Sequence, residues 1–286
     1  MPERDHYIAG VPCWVDTSQP DPEAAVAFYG ELFGWECDDV MPADAPGSYF
    51  MARIRGGNVA AIGAVPEGAP PAATWNTYVN VDSADETASK VAAAGGRVLM
   101  EPFDVMDAGR MGVFADPEGA VFCVWQAKDN IGAGIVNEHG SVNFNDLHTR
   151  DAGAARSFYG AVFGWQTLEL GGGMQMWTLP GYGDDLVRDN PDLRKFIAAA
   201  GAPEGFEDVV ATIVALDDDR PDVPAHWGVT FAVDDADAIA DKAAQLGGTV
   251  LAAPFDAPWV RMTVIADPQG ATFTASRFVP ENRDLG

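Results

Sequence analysis

The chain repeats itself, and no other feature narrows its possible folds so far. Asp21 to Gly30 (DPEAAVAFYG), followed by Leu32-Phe33-Gly34-Trp35, returns as Asp151 to Gly160 (DAGAARSFYG), followed by Val162-Phe163-Gly164-Trp165. Further on, Gly95-Gly96 returns as Gly247-Gly248, and Pro102-Phe103-Asp104 as Pro254-Phe255-Asp256. Arg110-Met111 with Asp116-Pro117-Glu118-Gly119 returns as Arg261-Met262 with Asp267-Pro268-Gln269-Gly270. A shared order of this length marks a duplicated unit. Residues 8–128 and 140–280 are the two copies, and the glycine-containing stretch 129–139 is the linker.

Each copy subdivides. Residues 11–17 read as a strand. Asp21 caps the helix that follows, Pro22 suits its first turn, and Gly34 ends it. Ala25, Phe28, Tyr29 and Leu32 share one helix face. Strands are expected at Tyr49–Ile54 and Val59–Val65, after which the order restarts at Asn76–Val81. Ser83 and Glu86 form a capping box for a second helix that stops at Gly95-Gly96. Strands at Arg97–Met100, Gly112–Ala115 and Val121–Gln126 close the unit. The unit is β-α-β-β-β, and the chain holds four.

The 286 residues suit two domains, and no run of about 18 apolar residues reads as a membrane span. The charged start, Met1 to Gly10, does not read as a signal peptide. A net charge of −26 argues against a nucleic-acid or anionic-membrane partner, because both need a positive face. Cys13, Cys37 and Cys123 are widely spaced, form no CxxC, and fit a reducing cytoplasm.

The Asp-x6-Phe-Tyr helix followed by Phe-Gly-Trp, the Gly-Gly after the second helix and the Asp-Pro-x-Gly turn resemble the vicinal oxygen chelate superfamily. That superfamily includes glyoxalase I, extradiol dioxygenases, and fosfomycin- and bleomycin-resistance proteins. The resemblance covers nearly the whole chain, twice. More narrowly, the chain is similar to two-domain actinobacterial members labelled glyoxalase-like or hydroxylase. The resemblance implies an α+β fold in which four modules form two glyoxalase-like domains. Each domain is an open, curled mixed sheet cupping a pocket.

Most enzymes of that superfamily hold a divalent metal on the cup wall. Motif offsets carry the ligand positions to Trp14, Asn76 and Cys123 in the first half, and to Phe144, Gly228 and Thr274 in the second. The remaining position falls in 59–65 or 209–216, where no ligating side chain stands. Neither set suits a divalent cation. No metal or other cofactor is therefore expected, which argues against glyoxalase, extradiol dioxygenase and metal-dependent transferase chemistry.

Strand alternation names the cup neighbours. They are Trp14 with Asp16; Asn76 with Tyr78 and Asn80; Cys123 with Trp125; Phe144 with Asp146 and His148; His226 with Gly228 and Thr230; and Thr274 with Ser276. Trp177 joins the candidate ligand-binding residues. Walls this aromatic suit a flat aromatic ligand. Trp35 and Trp165 read as core. Trp14 and Trp125 read equally as cup wall or as core. His148 or His226 near Asp146 is a candidate acid–base pair. His226 falls before its expected strand and His148 past its own. Arg110 and Arg261 either pair with nearby Asp residues or reach over the cup rim to a ligand oxygen. Gly171–Gly173 reads as a turn, and Asp217–Asp219 as a solvated loop.

Residues 182–205 are an insertion peculiar to the second half, with a helix expected over Pro191–Ala200, and they read equally as a lid that makes the second cup the specialised one or as a decorated surface loop. The expected function is metal-free binding of a small aromatic molecule, with sequestration or acid–base transformation of it, in a monomer or homodimer. Two alternatives stay open. One is a metal-dependent enzyme with displaced ligands drawn from Asp146, His148 and His226. The other is an interaction scaffold with degenerate cups.

Overall fold

The structure, a computed structural model, describes residues 3–42, 46–68, 71–170, 174–217 and 222–285. The Gly171–Gly173 turn and most of the Asp217–Asp219 loop fall outside those residues.

The first half runs β1 (Pro12–Gln19), α1 (Pro22–Phe33), β2 (Glu36–Asp39), β3 (Tyr49–Ile54), β4 (Gly57–Ala64), then β5 (Thr74–Asn80), α2 (Ala84–Ala93), β6 (Arg97–Val105), β7 (Gly109–Ala115) and β8 (Val121–Ala127). The second half runs β9 (Val142–Thr149), α3 (Ala152–Phe163), β10 (Gln166–Glu169), β11 (Gln175–Thr178), α4 (Tyr182–Asp189), α5 (Leu193–Ala199) and β12 (Val209–Ala215). It then restarts with β13 (His226–Ala232), α6 (Ala236–Gln245), β14 (Thr249–Ala257), β15 (Val260–Ala266) and β16 (Thr272–Phe278). The short strands β2 and β10 and the helix α4 were not expected from the sequence. The predicted helix over 191–200 is α5.

Each half forms one open, mixed, eight-stranded sheet, ordered β2-β3-β4-β1-β5-β8-β7-β6 and β10-β11-β12-β9-β13-β16-β15-β14. Two modules meet antiparallel at β1–β5 and at β9–β13, which gives each sheet a local two-fold relation. The helix signals act as read. Asp21 accepts the Ala24 N–H at 3.0 Å and Asp151 the Ala154 N–H at 2.8 Å. Gly34 and Gly164 close α1 and α3 at φ 75° and 76°, where a side chain would be strained.

The repeated motifs serve contacts between the halves. The rings of α1 and Trp35 pack on β13 and β16 of the other half, with Phe33 5.2 Å from Phe231 and Tyr29 5.8 Å from Phe273. Phe158 and Tyr159 of α3 pack on Phe122 of β8 in the same way. Sheets therefore join module 1 to 2 and module 3 to 4, while the two hydrophobic cores join 1 to 4 and 2 to 3. Tyr29 donates its hydroxyl to Asp267 at 2.9 Å, and Tyr159 to Asp116 at 3.1 Å. The helix Tyr of one half thus grips the Asp-Pro-x-Gly turn of the other. Trp35 Nε1 donates to the Gly140 carbonyl and Trp165 Nε1 to the Gly10 carbonyl, both at 2.7 Å. A Cβ on Gly96 would lie 2.7 Å from the Phe158 ring, so the Gly-Gly motif makes room for the opposite half's helix. With the helix-side face of each sheet committed to this seam, the opposite face forms the cup.

Candidate functional site

The first cup is filled by its own side chains. Trp14, Asp16, Met51, Tyr78, Cys123 and Trp125 are all buried. At its centre Asp16 Oδ2 accepts the Tyr78 hydroxyl at 2.8 Å and the Tyr49 hydroxyl at 2.9 Å, and Oδ1 accepts Asn76 Nδ2 at 2.8 Å. Trp14 Nε1 donates to Tyr49 Oη at 3.1 Å, which fixes the Tyr49 proton toward Asp16. Burial raises the Asp16 carboxyl above the usual range, against the pull of these three bonds. The linker covers the rest. Trp125 Nε1 donates to the Asn130 carbonyl at 2.7 Å, and Ala133 N–H to the Cys13 carbonyl at 2.8 Å. A Cβ on Gly132 would lie 2.3 Å from that carbonyl, so the linker glycine is a packing requirement. Burial pushes the Cys13 and Cys123 thiols up, which keeps them protonated.

The second cup has the same backbone and smaller side chains. Register fixes the equivalences. Asp16 pairs with Ala61 and Asn76, whereas Asp146 pairs with Thr212 and Gly228. Tyr78 is replaced by Thr230, Cys123 by Thr274, Trp125 by Ser276 and Trp14 by Phe144. Phe144, Asp146, Thr212, Gly228 and Thr274 are half-buried on this face, and Thr230 and Ser276 are buried. The Asp146 carboxyl is bonded to the Thr212 hydroxyl through Oδ1 and to the Thr230 hydroxyl through Oδ2, the latter at 2.5 Å. Burial raises its pKa, and the two hydroxyl bonds oppose that rise.

His148 and His226 stand side by side on this face, their rings stacked at 4.3 Å and 6°. Both lie inside their strands, because β9 extends to Thr149 and β13 begins at His226. His226 Nδ1 donates to the Pro224 carbonyl at 2.9 Å. Among the described residues no imidazole–carboxylate hydrogen bond forms, and the Asp146 oxygens bond to the two threonine hydroxyls. Burial, and secondarily His226, push the His148 pKa down to about 4. His148 is therefore neutral at pH 7, and its contribution to stability is complete above about pH 6.5 and lost as the pH falls toward 4. We expect His148→Asn to remove about 2 kcal/mol of the stability that the protein loses between pH 7 and pH 4.5, partial exposure being allowed for. Urea titrations at the two pH values measure this, and equal losses in variant and parent would refute it.

Three sequence-based candidates lie elsewhere. Arg110 and Arg261 project from the opposite face to the cup-facing Met111 and Met262. Arg110 binds Asp85 of α2 through two bonds of 2.9 Å, and Arg261 binds Asp237 of α6 at 2.5 and 2.7 Å. The ion-pair reading holds for both, and the rim reading does not. Trp177 is fully buried in the seam between the halves, 5.5 Å from both Tyr159 and Trp165. In β11 the neighbouring Met176 is the residue that pairs with Thr212. Thr212 itself was missed, because only the parallel pairing of β12 with β9 brings it to Asp146.

Residues 14–124 match the family model of the glyoxalase/bleomycin resistance protein/dioxygenase superfamily, and residues 142–276 that of a glyoxalase-like domain. The chain belongs to this superfamily. It is 41% identical to the Mycobacterium tuberculosis protein named "Putative glyoxylase CFP32", covering 98% of this chain and 100% of the relative. It is 36% identical to the anthracycline biosynthesis protein DnrV of Streptomyces peucetius, covering 94% and 93%. In fold it is similar to the Mn(II)-bound glyoxalase from Novosphingobium aromaticivorans, with a TM-score of 0.60 and 17% identity over 94% of this chain and 82% of that one.

The superfamily's metal positions in this chain do not fit a metal. Trp14, Asn76 and Cys123 face the first cup, where Cys123 is a buried thiol and Asn76 is spent on Asp16. Phe144, Gly228 and Thr274 face the second, and offer a single neutral hydroxyl. Among the described residues, the one group of three His, Cys, Asp or Glu ligand atoms within 4.8 Å is Asp5, His6 and Asp189, exposed and outside both cups.

Proposed function

We propose that the second cup binds one small aromatic molecule per chain without a metal ion. The observation that carries this reading is the asymmetry of the two cups. The bulky residues that plug the first, Tyr78, Trp125 and Asn76, are replaced in the second by Thr230, Ser276 and Gly228. That face combines the Phe144 ring with convergent hydroxyls, a lining suited to a planar ligand with polar substituents. The likeness to two Streptomyces anthracycline biosynthesis proteins supports the same class, since anthracyclines are fused-ring aromatic compounds. At the cup's edge the neutral His148 imidazole can accept a hydrogen bond from a bound phenol. The displaced-ligand reading gains no support, because Asp146, His148 and His226 do not converge on a common point.

The test is a thermal-shift and dialysis screen of polycyclic aromatic ketones and phenols, with and without EDTA, alongside elemental analysis of the purified protein. We expect one ligand per chain, no stoichiometric metal, and about 2.7 kcal/mol of added stability at a hundredfold excess over Kd. Binding that EDTA abolishes, or a metal held at one per chain in either cup, would overturn the reading.

A further inference from the structure

We infer that α5 closes the second cup over its ligand, and that Phe196, which α5 carries, forms with Phe278 of β16 the outer aromatic wall of the site. This rests on the reading of the second cup as the binding site. It narrows the ligand to a linear fused-ring molecule long enough to reach that wall.

The helix bridges the two walls of its sheet. The insertion leaves β11 at Thr178 and rejoins the sheet at Val209 of β12, on one wall. α5 reaches the other. Trp259, at the turn between β14 and β15, donates its Nε1 to the Ala200 carbonyl at 3.2 Å, and the Phe196 ring lies 6.3 Å from the Phe278 ring. In the sheet order β9 and β13 lie between β12 and β16, so the insertion spans both. Thr274, Ser276 and Phe278 alternate onto one face of β16, which puts the ring contact on the cup side.

The first cup is crossed at the same end by the linker. Lys128 N–H donates to the Ala108 carbonyl at 3.1 Å and Gly134 N–H to the Asn58 carbonyl at 2.8 Å, so the linker runs from the β7 wall to β4. In the second half Val279 N–H makes the equivalent bond, to the Trp259 carbonyl at 2.6 Å. There α5, arriving from the opposite wall, takes the linker's place.

The two closures are held differently. The linker is packed in, with Ala133 and Ile135 buried. α5 has no buried residue, and Phe196 and Phe278 are 62% and 49% exposed. Two rings left to water on a cup rim are a surface that a further ring would cover. The preceding α4 is a fixed base, with Tyr182 and Asp185 buried and Gly183 N–H bonded to Asp208 at 2.7 Å. An exposed ion pair, Arg194 with Asp184 at 2.6 Å, ties α5 to that base and holds it weakly. Gly201 and Gly205, at φ 75° and 87°, give the chain its turns between α5 and β12. The part free to move is therefore α5.

The spacing sets the ligand's length. Phe144 is the register partner of Thr230, and Thr230 of Thr274. From Thr274 to Phe278 is about 13 Å of strand. A two-ring skeleton stacked on Phe144 falls short of the Phe196–Phe278 pair, whereas a linear four-ring skeleton reaches it.

Three ketones of increasing length test this: 1-tetralone, anthrone and 5,12-naphthacenequinone, titrated by quenching of tryptophan fluorescence, with hydrogen exchange in α5 followed by mass spectrometry. Phe196→Ala is expected to weaken binding of the four-ring quinone roughly tenfold and that of 1-tetralone less than about twofold. Phe196→Tyr, which keeps a ring, keeps the parent affinities. The α5 amides exchange several-fold more slowly in the four-ring complex than in the free protein. Phe196 is exposed, and the unliganded melting temperature confirms that each variant is folded. Equal effects of Phe196→Ala on the short and long ketones, or α5 exchange unchanged by the four-ring quinone, overturns the inference and leaves the second cup a binding site. Binding of the quinone that survives Thr230→Tyr with Ser276→Trp, or binding of none of the three, overturns the cup reading and this inference together.

Discussion

Replacing Tyr29 with alanine is expected to lower the unfolding free energy by about 4 kcal/mol, the range found when a large buried aromatic is truncated. Tyr29 is fully buried, with its ring 5.0 Å from Phe28 and 5.4 Å from both Trp35 and Trp75. It also reaches Phe273 of the other half. The milder Tyr29→Phe keeps the ring and removes only the hydroxyl. That hydroxyl donates to Asp267 at 2.9 Å and accepts Trp75 Nε1 at 3.1 Å, so its loss leaves two buried polar partners short of a bond. We expect about 2 kcal/mol for Tyr29→Phe. Asp267→Asn is expected to be strongly non-additive with it, because both changes act on one bond. Asp267 Oδ2 also accepts Gln19 Nε2 at 2.7 Å, and its Oδ1 holds the turn N–H groups of Gln269 and Ala271 at 2.9 Å, so the carboxyl ties strand, turn and helix together. Urea denaturation of the four proteins in the cycle measures the coupling. Additive effects would mean that the repeated Tyr and Asp are coincident motifs rather than the clasp between the halves.

That clasp marks what the sequence could and could not disclose. Four β-α-β-β-β units, their helix caps and the two faces of β1, β5, β9 and β13 were readable, because each is fixed by local signals: an Asp cap, a left-handed glycine, a period of two. Which unit's helix covers which sheet was not readable. Phe28 and Tyr29 are apolar whether they pack on their own half or on the other, and only the register of the whole assembly sets Tyr29 against Asp267. The same limit explains the site. Asp146 was found by alternation, while Thr212, some 66 residues away, joins it through a parallel pairing that leaves no local trace. Arg110 and Arg261 were read as standing before their strands, free to turn to a nearby Asp or over the rim, whereas β7 and β15 include them and fix their direction. The short strands β2 and β10 carry exposed polar residues and so lacked a hydrophobic pattern. α4 is held by remote partners, with Tyr182 receiving a bond from Arg4 at 2.9 Å and Asp185 contacting His6 at 3.2 Å.

The second large effect concerns the cups. Because the two sheets are equivalent strand for strand, the plug of the first can be written into the second. Thr230→Tyr with Ser276→Trp places at those positions the residues that fill the first cup as Tyr78 and Trp125. Their side chains project from matching register positions on β5 and β8. Tyr78 reaches Asp16 at 2.8 Å in the first cup, and the introduced tyrosine has Asp146 at the corresponding place. The doubly substituted protein is expected to lose ligand binding by about a hundredfold or more, since a ring-sized ligand and two ring-sized side chains compete for one volume. Thr230 and Ser276 are buried, so the larger rings are expected to cost about 1–3 kcal/mol of unfolding free energy, and circular dichroism checks that the protein stays folded. The converse change, Tyr78→Thr with Trp125→Ser, leaves binding at the second cup intact while costing stability through the emptied first cup. Calorimetric titration of one aromatic ketone against parent, plugged and unplugged proteins separates the two cups. Retention of full affinity after plugging would place the ligand outside the second cup, and the exchange of large residues for small would then need an explanation other than binding.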